Sequence, residues 1–513
     1  MGVALIMSVH RYAAYVPIHF NEAYNLQIAQ SIARYGCYCT TYFPRRVFPV
    51  EESTNGIPQY VGAAFFAATH DPDAVVIGTA TLGTAALVVA LLFLEPWLVA
   101  VSCILFRTWT SYFFVSTQFE GEIWALAFAV FGIALLRKYR NVDGDPATDA
   151  PITPYGDAMN SASRASLMLR DRKVLMAIVF FALAMECKLL VAIAVFPIAF
   201  AILARKSDAR SRSTMIDSAI GVLAISVASF AILFLLIAFS VVHSTRGAFD
   251  VGSVGNAFFG FIGNMISQGQ NAAGSTVGFF ARIASFFDPM ALVVFCVASI
   301  ILLGANVAYF PLAAVTIIWF FGFGRGGIER HMVMSLYLTT IMGAMEARAM
   351  LGRFAMSGKA AIRTYCVVAV CAFGVFLAVN TLVGRPFIGK VFEQQVAAGY
   401  DREHVIRTSA NASTHYTRRL VEAIRREPYV VTSGWWQFPE LSIREGLSFY
   451  DRMKPQNDSL PKGQVALLFD EGNRLWPPTS RQANCGKVLY REGSIVLCRV
   501  RADVAIDYQG TPR

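Results

Sequence analysis

Charged residues are scarce in this sequence of 513 residues. Asp, Glu, Lys and Arg make up 15% of it, whereas hydrophobic residues make up 56% and the mean hydropathy is +0.50. A water-soluble protein cannot bury so much apolar surface behind so little charge. The composition therefore excludes a string of soluble domains and predicts a polytopic α-helical membrane protein. The 44 Lys and Arg exceed the 34 Asp and Glu, but basic residues collect in cytoplasmic loops of membrane proteins, so no nucleic-acid partner is predicted.

Metal-binding cysteine patterns are also missing. The nine cysteines form no C-x-x-C pair and no Cys/His spacing of a zinc site. Metal-cluster chemistry is therefore not predicted; we expect no cofactor, and a divalent metal is permitted but not indicated. Cys485 and Cys498 flank a predicted β-hairpin in the polar C-terminal region, and we expect them to form a disulfide in an oxidising compartment.

The N-terminus lacks the basic region and the A-x-A-like cleavage site of a signal peptide. We therefore expect no signal peptide and interpret residues 1–18 as a short first span, whose length a misplaced start would explain. Further spans are predicted where apolar stretches approach the roughly 20 residues that cross a bilayer. These are 74–94, 97–114, 123–136, 216–240, 290–304, 306–323, 331–346 and 364–383.

The apolar stretch 174–204 is long for one helix and carries Glu186 and Lys188 in its middle. Basic residues flank both of its ends, so the positive-inside rule predicts a hairpin with these two residues at its external tip. The alternative is one tilted helix with a buried ion pair. Counting the hairpin as two spans gives about eleven transmembrane helices, with the N-terminus inside and the C-terminus outside.

Two domains are predicted from this topology. Residues 1–384 form the transmembrane domain, with interfacial helices in the first external loop, 19–69, and residues 385–513 form a small external α/β domain. In that domain helical periodicity covers 412–426, and short strands are predicted at 429–432, 464–469, 488–491 and 494–500. No internal repeat or inverted half is visible, although transporters often show them.

Carboxylates gather in the predicted external loops. Glu22 lies at the start of a predicted interfacial helix whose helical spacing of apolar residues ends at Gly36. Glu120 and Glu122 lie in a very short loop at the start of another span. Each carboxylate either stabilises a helix start through the helix dipole or serves a function at the edge of the membrane, and the sequence leaves both interpretations open. In the functional interpretation, we expect Glu22 to be open to a cavity and to contribute little to packing.

Several short motifs follow one another on this external side. They are Asn21-Glu22-Ala23-Tyr24, Gly36-Cys37-Tyr38, the turn Thr54-Asn55-Gly56-Ile57-Pro58, Gly121-Glu122, Lys188 in the hairpin, and Glu329-Arg330-His331 before a span. In order and spacing, over roughly residues 1–385, the chain resembles the polytopic C-type (GT-C) glycosyltransferases, which include protein O-mannosyltransferases and lipid A aminoarabinose transferases. It departs from the family at Asn21, where an Asp is usual, so the acid/base role passes to Glu22 or the protein is an inactive scaffold.

The resemblance implies a bacterial inner-membrane enzyme with a periplasmic C-terminus. Such enzymes move a sugar from a polyprenyl-phosphate donor to a lipid, glycan or protein acceptor on the extracytoplasmic face. Its implied partners are therefore the lipid-linked donor, the acceptor and membrane lipids. The competing interpretation is a transporter or lipid flippase, since many spans with a few buried charges also describe a substrate pathway.

The resemblance also implies roles for particular residues. Glu22 would be the general base of an inverting single displacement, with Glu122 as a second catalytic carboxylate that binds the acceptor or orients Lys188. Lys188, Arg330 and His331 would stabilise the departing phosphate, and Glu120 would bind substrate. For Lys188 and Arg330 the structural alternatives are an ion pair with Glu186 and a side chain that extends from a span end towards the interface.

Overall fold

The computed structural model describes part of the chain. The described residues are 1–14, 20–40, 48–49, 56–142, 166–204, 212–244, 252, 255, 289–322, 329–356, 371, 374, 417–432, 438–451, 464–470 and 485–501. Within them the protein is mostly helical, with one larger β-sheet near the C-terminus.

The helical body follows the predicted spans closely at most positions. Its helices are α1 (Gly2–Ala13), α2 (Phe20–Tyr35), α3 (Gly56–Thr69), α4 (Pro72–Leu94), α5 (Leu98–Thr108), α6 (Thr110–Thr117), α7 (Glu122–Val142), α8 (Arg172–Cys187), α9 (Ala192–Leu203), α10 (Arg212–Ser244), α11 (Pro289–Ala305), α12 (Phe310–Gly322) and α13 (Glu329–Met356). Helix α7 packs against both α4 and α8. Most buried side chains of the body form one large apolar core, and a smaller cluster is formed mainly by α2, α3 and α4.

Two described helices are long and apolar enough to cross a membrane, Pro72–Leu94 and Met215–His243. Four shorter apolar helices accompany them, at Leu98–Thr108, Leu189–Leu203, Val294–Ala305 and Val307–Ile317. The predicted span 364–383 lies outside the described residues except at two positions. The predicted number of about eleven spans therefore remains a prediction.

The stretch 97–114, predicted as one span, is divided in two. Trp109 lies between α5 and α6 in an extended conformation, with φ −98° and ψ 114°. Buried hydroxyl groups link the segments on either side: Ser102 Oγ lies 2.8 Å from Tyr112 Oη, and Tyr337 Oη of α13 donates to Ser102 Oγ over 3.0 Å. Buried hydroxyl groups need partners, and the break lets α5 and α6 supply them to each other.

The structure divides 174–204 into α8 and α9, which agrees with the predicted hairpin and not with one continuous helix, while the external position of the tip stays a prediction. The first helix ends at Cys187, and Lys188 follows in an extended conformation with φ −161° and ψ 104°. A Cβ atom placed on Gly221 of α10 would lie 3.3 Å from Leu203 Cδ1 and 3.4 Å from Met168 Cε. The residues before α8 and at the end of α9 therefore meet at one level, and Lys188 lies at the opposite end.

The C-terminal region contains a five-stranded mixed sheet. Its strands are β3 (Tyr429–Thr432), β4 (Tyr450–Asp451), β5 (Val465–Asp470), β6 (Cys485–Glu492) and β7 (Ile495–Val500), in the order β4-β3-β5-β7-β6. The first two strands of the chain, β1 (Cys39–Thr40) and β2 (Phe48–Pro49), form a separate two-stranded ribbon. Strands β3, β4 and β5 are parallel, whereas β7 is antiparallel to β5 and β6. The four longer strands agree with the sequence prediction.

Helices α14 (Arg418–Arg425) and α15 (Pro439–Glu445) cover one face of this sheet. The structure joins Cys485 to Cys498, so the predicted disulfide is confirmed. It also joins Cys37 to Cys39, which the sequence analysis did not predict.

Helix α15 docks the C-terminal domain on the helical body. Arg444 forms a bidentate ion pair with Asp73 in the first turn of α4, at 2.6 and 2.9 Å. Next to it, Gln27 Nε2 of α2 donates to Ser442 Oγ over 2.8 Å. Ile443 packs into an apolar cluster formed mainly by α2, α3 and α4. The sheet domain therefore lies on the same side of the body as α2.

Candidate functional site

Glu22 is held against the short loop that precedes α7. Its side chain is 1% exposed, and Oε1 accepts a hydrogen bond of 2.7 Å from the backbone N–H of Phe119. One turn later in α2, Asn25 Nδ2 donates to the carbonyl oxygen of the same Phe119 over 3.0 Å. Residues three apart share a helix face, so α2 holds both backbone polar groups of one loop residue.

The acidic residues of this loop are the next part of the site, and one of them contacts the lysine at the tip of the hairpin. Glu120 and Glu122 are both buried, and Glu122 is the first residue of α7. Lys188 Nζ lies 2.7 Å from Glu122 Oε1, and its side chain is 15% exposed. Removing one partner from an ion pair so shielded from water costs far more than removing one from a surface pair, because a buried charge is left uncompensated. The alternative partner considered for Lys188, Glu186, is therefore wrong.

Glu186 binds the start of α3 instead. Its Oε2 accepts a hydrogen bond of 3.1 Å from the backbone N–H of Ile57, one of the N–H groups that a helix start leaves without an internal partner. A Cβ atom on Gly56 would overlap Glu186 Oε1. The glycine of the predicted turn motif thus leaves room for the close approach of a buried carboxylate. Thr54 and Asn55 of that motif lie outside the described residues.

A second set of contacts fixes α3 and the end of α2. Burial raises the pKa of Tyr60 to about 12, and the nearby Glu186 adds to the rise. Tyr60 is therefore a neutral phenol, and its oxygen lies 2.7 Å from His243 Nδ1 near the end of α10. His243 Nε2 lies 3.0 Å from the carbonyl oxygen of Gly36. Gly36 has φ +57° and ends α2, as the sequence predicted.

The structure brings together four of the six predicted site residues: Glu22, Glu120, Glu122 and Lys188. Arg330 and His331 lie in the first turn of α13, and their side chains are not described. Helix α13 contacts the turn Leu189–Val191, which directly follows Lys188.

The expected exposure of Glu22 differs from what is observed. The sequence predicts a carboxylate open to a cavity that contributes little to packing, whereas the structure buries it against a backbone amide. The physical reason is the loop before α7: its buried backbone N–H needs an acceptor, and the first turn of α2 supplies one.

Three polar residues of the site were missed by the sequence analysis. Asn25, Gln59 and Tyr38 are buried and hydrogen-bonded in series: Gln59 Nε2 donates to Asn25 Oδ1 over 2.8 Å, and Tyr38 Oη donates to Gln59 Oε1. The sequence signal that could have revealed them is the position of Asn25, a polar residue one turn after Glu22 and therefore on the same helix face. In the described part of the chain, no three His, Cys, Asp or Glu side chains converge as a metal site, and the expectation of no cofactor remains a prediction.

No family model matches the chain, and no curated protein matches it. Among solved structures, the crystal structure of ArnT from Cupriavidus metallidurans bound to undecaprenyl phosphate is similar to this chain with a TM-score of 0.40 and 10% identity. The alignment covers 100% of this chain and 98% of that one. At this TM-score and identity, the similarity does not establish a common fold.

Proposed function

We propose that this protein is a membrane glycosyltransferase that moves a sugar from a polyprenyl phosphate to an acceptor at the extracytoplasmic face of the bacterial inner membrane. One observation carries the proposal. Glu22 from the first loop and Lys188 from the hairpin tip are both tied to the four residues 119–122, through Phe119 and Glu122. An acceptor for a proton and a cation for a leaving phosphate are thus anchored on one short segment.

The proposed reaction is a single displacement. The oxygen of an acceptor hydroxyl attacks the anomeric carbon, the bond from that carbon to the phosphate oxygen breaks, and the electron pair leaves with the polyprenyl phosphate. The hydroxyl proton passes to the Glu22 carboxylate. A carboxylate offers about four acceptor positions, so the bond from Phe119 does not prevent Glu22 from binding a substrate O–H. The configuration at the anomeric carbon inverts.

Lys188 would stabilise the negative charge that grows on the departing phosphate. A fixed cation in a site shielded from water is worth far more than one in bulk water. Glu122 holds this ammonium group in place in the absence of the phosphate. Arg330 and His331 would add further positive charge from the start of α13, and Glu120 would contact the acceptor or the sugar.

The positions of these residues favour a transferase over a transporter. Glu22 lies in the first turn of α2, Glu122 is the first residue of α7, and Lys188 follows the last residue of α8. Transporters commonly bind their substrate near the bilayer midplane. A set of charges at helix ends instead suits chemistry at the membrane surface.

The test separates cleavage from transport. The purified protein is reconstituted in vesicles with a panel of radiolabelled polyprenyl-phosphate sugars, and both released polyprenyl phosphate and movement of the intact lipid across the bilayer are measured. We expect release of polyprenyl phosphate in the presence of an acceptor, and loss of that release in Glu22→Gln. Movement of the intact donor without cleavage would instead identify a flippase. Comparing lipid-linked sugars and envelope glycans in a deletion strain identifies the sugar and acceptor.

A further inference from the structure

The loop before α7 is held by a side chain that the proposed reaction does not use. Residues 119–121 are buried and lie outside any helix or strand. The carbonyl oxygen of Gly121 accepts a hydrogen bond from the N–H of Ala125 in α7, whereas the buried N–H and carbonyl of Phe119 need partners from outside the loop. Asn25 supplies the donor for the Phe119 carbonyl, and Glu22 supplies the acceptor for the Phe119 N–H.

The orientation of the Asn25 amide follows from the hydrogen-bonding roles of its neighbours. A carbonyl oxygen can only accept, so the atom of Asn25 that faces Phe119 must be Nδ2. Oδ1 then faces Gln59, whose Nε2 donates to it over 2.8 Å. Gln59 Oε1 is left to accept from the hydroxyl of Tyr38. The series runs in one direction from Tyr38 to Phe119, and each member fixes the next.

The ring of Phe119 provides a third point of attachment. It packs in an apolar cluster with Leu26 of α2 and with Ala63 and Phe66 of α3. A Cβ atom on Gly62 would lie 2.5 Å from Phe119 Cζ, so the ring fits closely against the backbone of α3. Phe119 is therefore fixed through its N–H, its carbonyl and its ring.

We infer that Asn25 is a positioning residue that sets the placement of the Glu122–Lys188 pair relative to Glu22. Glu122 follows Phe119 by three residues, so its Cα lies within about 11 Å of the clamped residue. The inference rests on the proposed function, because it concerns the spacing of two groups that act on one substrate. A misplacement of reacting groups by about 1 Å can cost about 10²-fold in rate.

The test replaces the donor while keeping the shape of the side chain. In Asn25→Asp an ionised carboxylate oxygen takes the place of the amide donor and faces the Phe119 carbonyl oxygen. The two acceptors repel each other, and the repulsion displaces the loop. We expect kcat for sugar transfer to fall by about 10²-fold, with little change in KM for the lipid-linked donor, because Asn25 itself does not bind the donor. The matched control is Ser31→Ala, a buried hydroxyl on the same helix that makes no hydrogen bond within the described residues. Its kinetics should equal those of the wild type.

A second measurement follows the loop without depending on turnover. Glu120→Cys is introduced alone and together with Asn25→Asp. The rate at which a membrane-impermeant thiol reagent labels the introduced cysteine is then compared between these two proteins. Loss of one hydrogen bond makes opening of the loop about tenfold more favourable. We expect labelling of this cysteine to be about tenfold faster in the Asn25→Asp background.

The outcomes separate the inference from the proposed function. Unchanged labelling with either normal or reduced kcat overturns the inference, since Asn25 then does not act through the loop. Faster labelling in the Asn25→Asp background, when the wild-type protein itself transfers no sugar, overturns the proposed function and leaves intact the conclusion that Asn25 holds the loop. If Asn25→Asp does not accumulate, Tyr38→Phe, which removes one hydroxyl at the other end of the series, replaces it. Normal kcat and normal labelling in Tyr38→Phe would likewise overturn the inference.

Discussion

Replacing Glu22 by Gln and by Ala separates the two tasks that this carboxylate has in the proposed enzyme. Glu22 accepts the Phe119 N–H and, as proposed, removes the proton of the acceptor hydroxyl. The amide oxygen of Gln can still accept the N–H but is a far weaker base. Ala removes both functions. The two variants should therefore differ in stability but not in their loss of transfer.

The magnitudes follow from the contacts. In Glu22→Ala the Phe119 N–H is left buried without its acceptor, which costs about 1–3 kcal/mol. In Glu22→Gln a neutral hydrogen bond replaces a charge-assisted one, at a cost of about 1 kcal/mol. General-base catalysis contributes about 10² to 10⁴ in rate, equivalent to about 3–5 kcal/mol of activation free energy. In Glu22→Gln the increase in the activation free energy of transfer should therefore exceed the decrease in the free energy of unfolding.

Both quantities can be measured on the same detergent-solubilised samples. Thermal denaturation reports stability, and release of polyprenyl phosphate from a labelled donor reports transfer. A control is Glu346→Gln, which alters another buried carboxylate, one that accepts a hydrogen bond from the Tyr309 hydroxyl at 3.3 Å and is not part of the proposed site. It should keep its transfer activity. Transfer by Glu22→Gln within a few-fold of wild type would show that the base is another group, and failure of this variant to accumulate would favour the helix-start interpretation of Glu22.

Three further changes test other parts of the structure. Lys188→Met leaves Glu122 buried without its ammonium partner and should destabilise the protein by about 3–5 kcal/mol; adding Glu122→Gln should restore part of the stability, measured by thermal denaturation, but none of the transfer. Arg444→Ala removes the bidentate pair with Asp73 and should speed limited proteolysis between the two domains, whereas a normal digestion rate would show that Ile443 docks them without it. A C-terminal alkaline phosphatase fusion should be active and a green fluorescent protein fusion dark, and the opposite pattern would contradict the predicted external site.

Local patterns in the sequence were sufficient to predict most of the helices and the four longer strands. Helix α2 ends where Gly36 was predicted to end it, and the four longer strands of the C-terminal sheet lie where alternating apolar residues predicted them. These features depend on residues close together in the chain, through helical or strand periodicity and turn chemistry. The break near Lys188 was also predicted from nearby residues, because the basic residues that flank 174–204 lie directly at its two ends.

The partners of the charged side chains were decided by tertiary structure alone. For Lys188 the sequence offered Glu186, two residues away, and the family resemblance allowed Glu122 to orient it; the fold pairs Lys188 with Glu122 and places Glu186 at the start of α3. It also buried Glu22, which was expected to lie open to a cavity. A buried polar group takes whichever complementary group the packing brings within about 3 Å, and such a group can come from any part of the chain. Composition and periodicity carry no information about that choice, so the arrangement of the candidate site could be determined only from the packed helices.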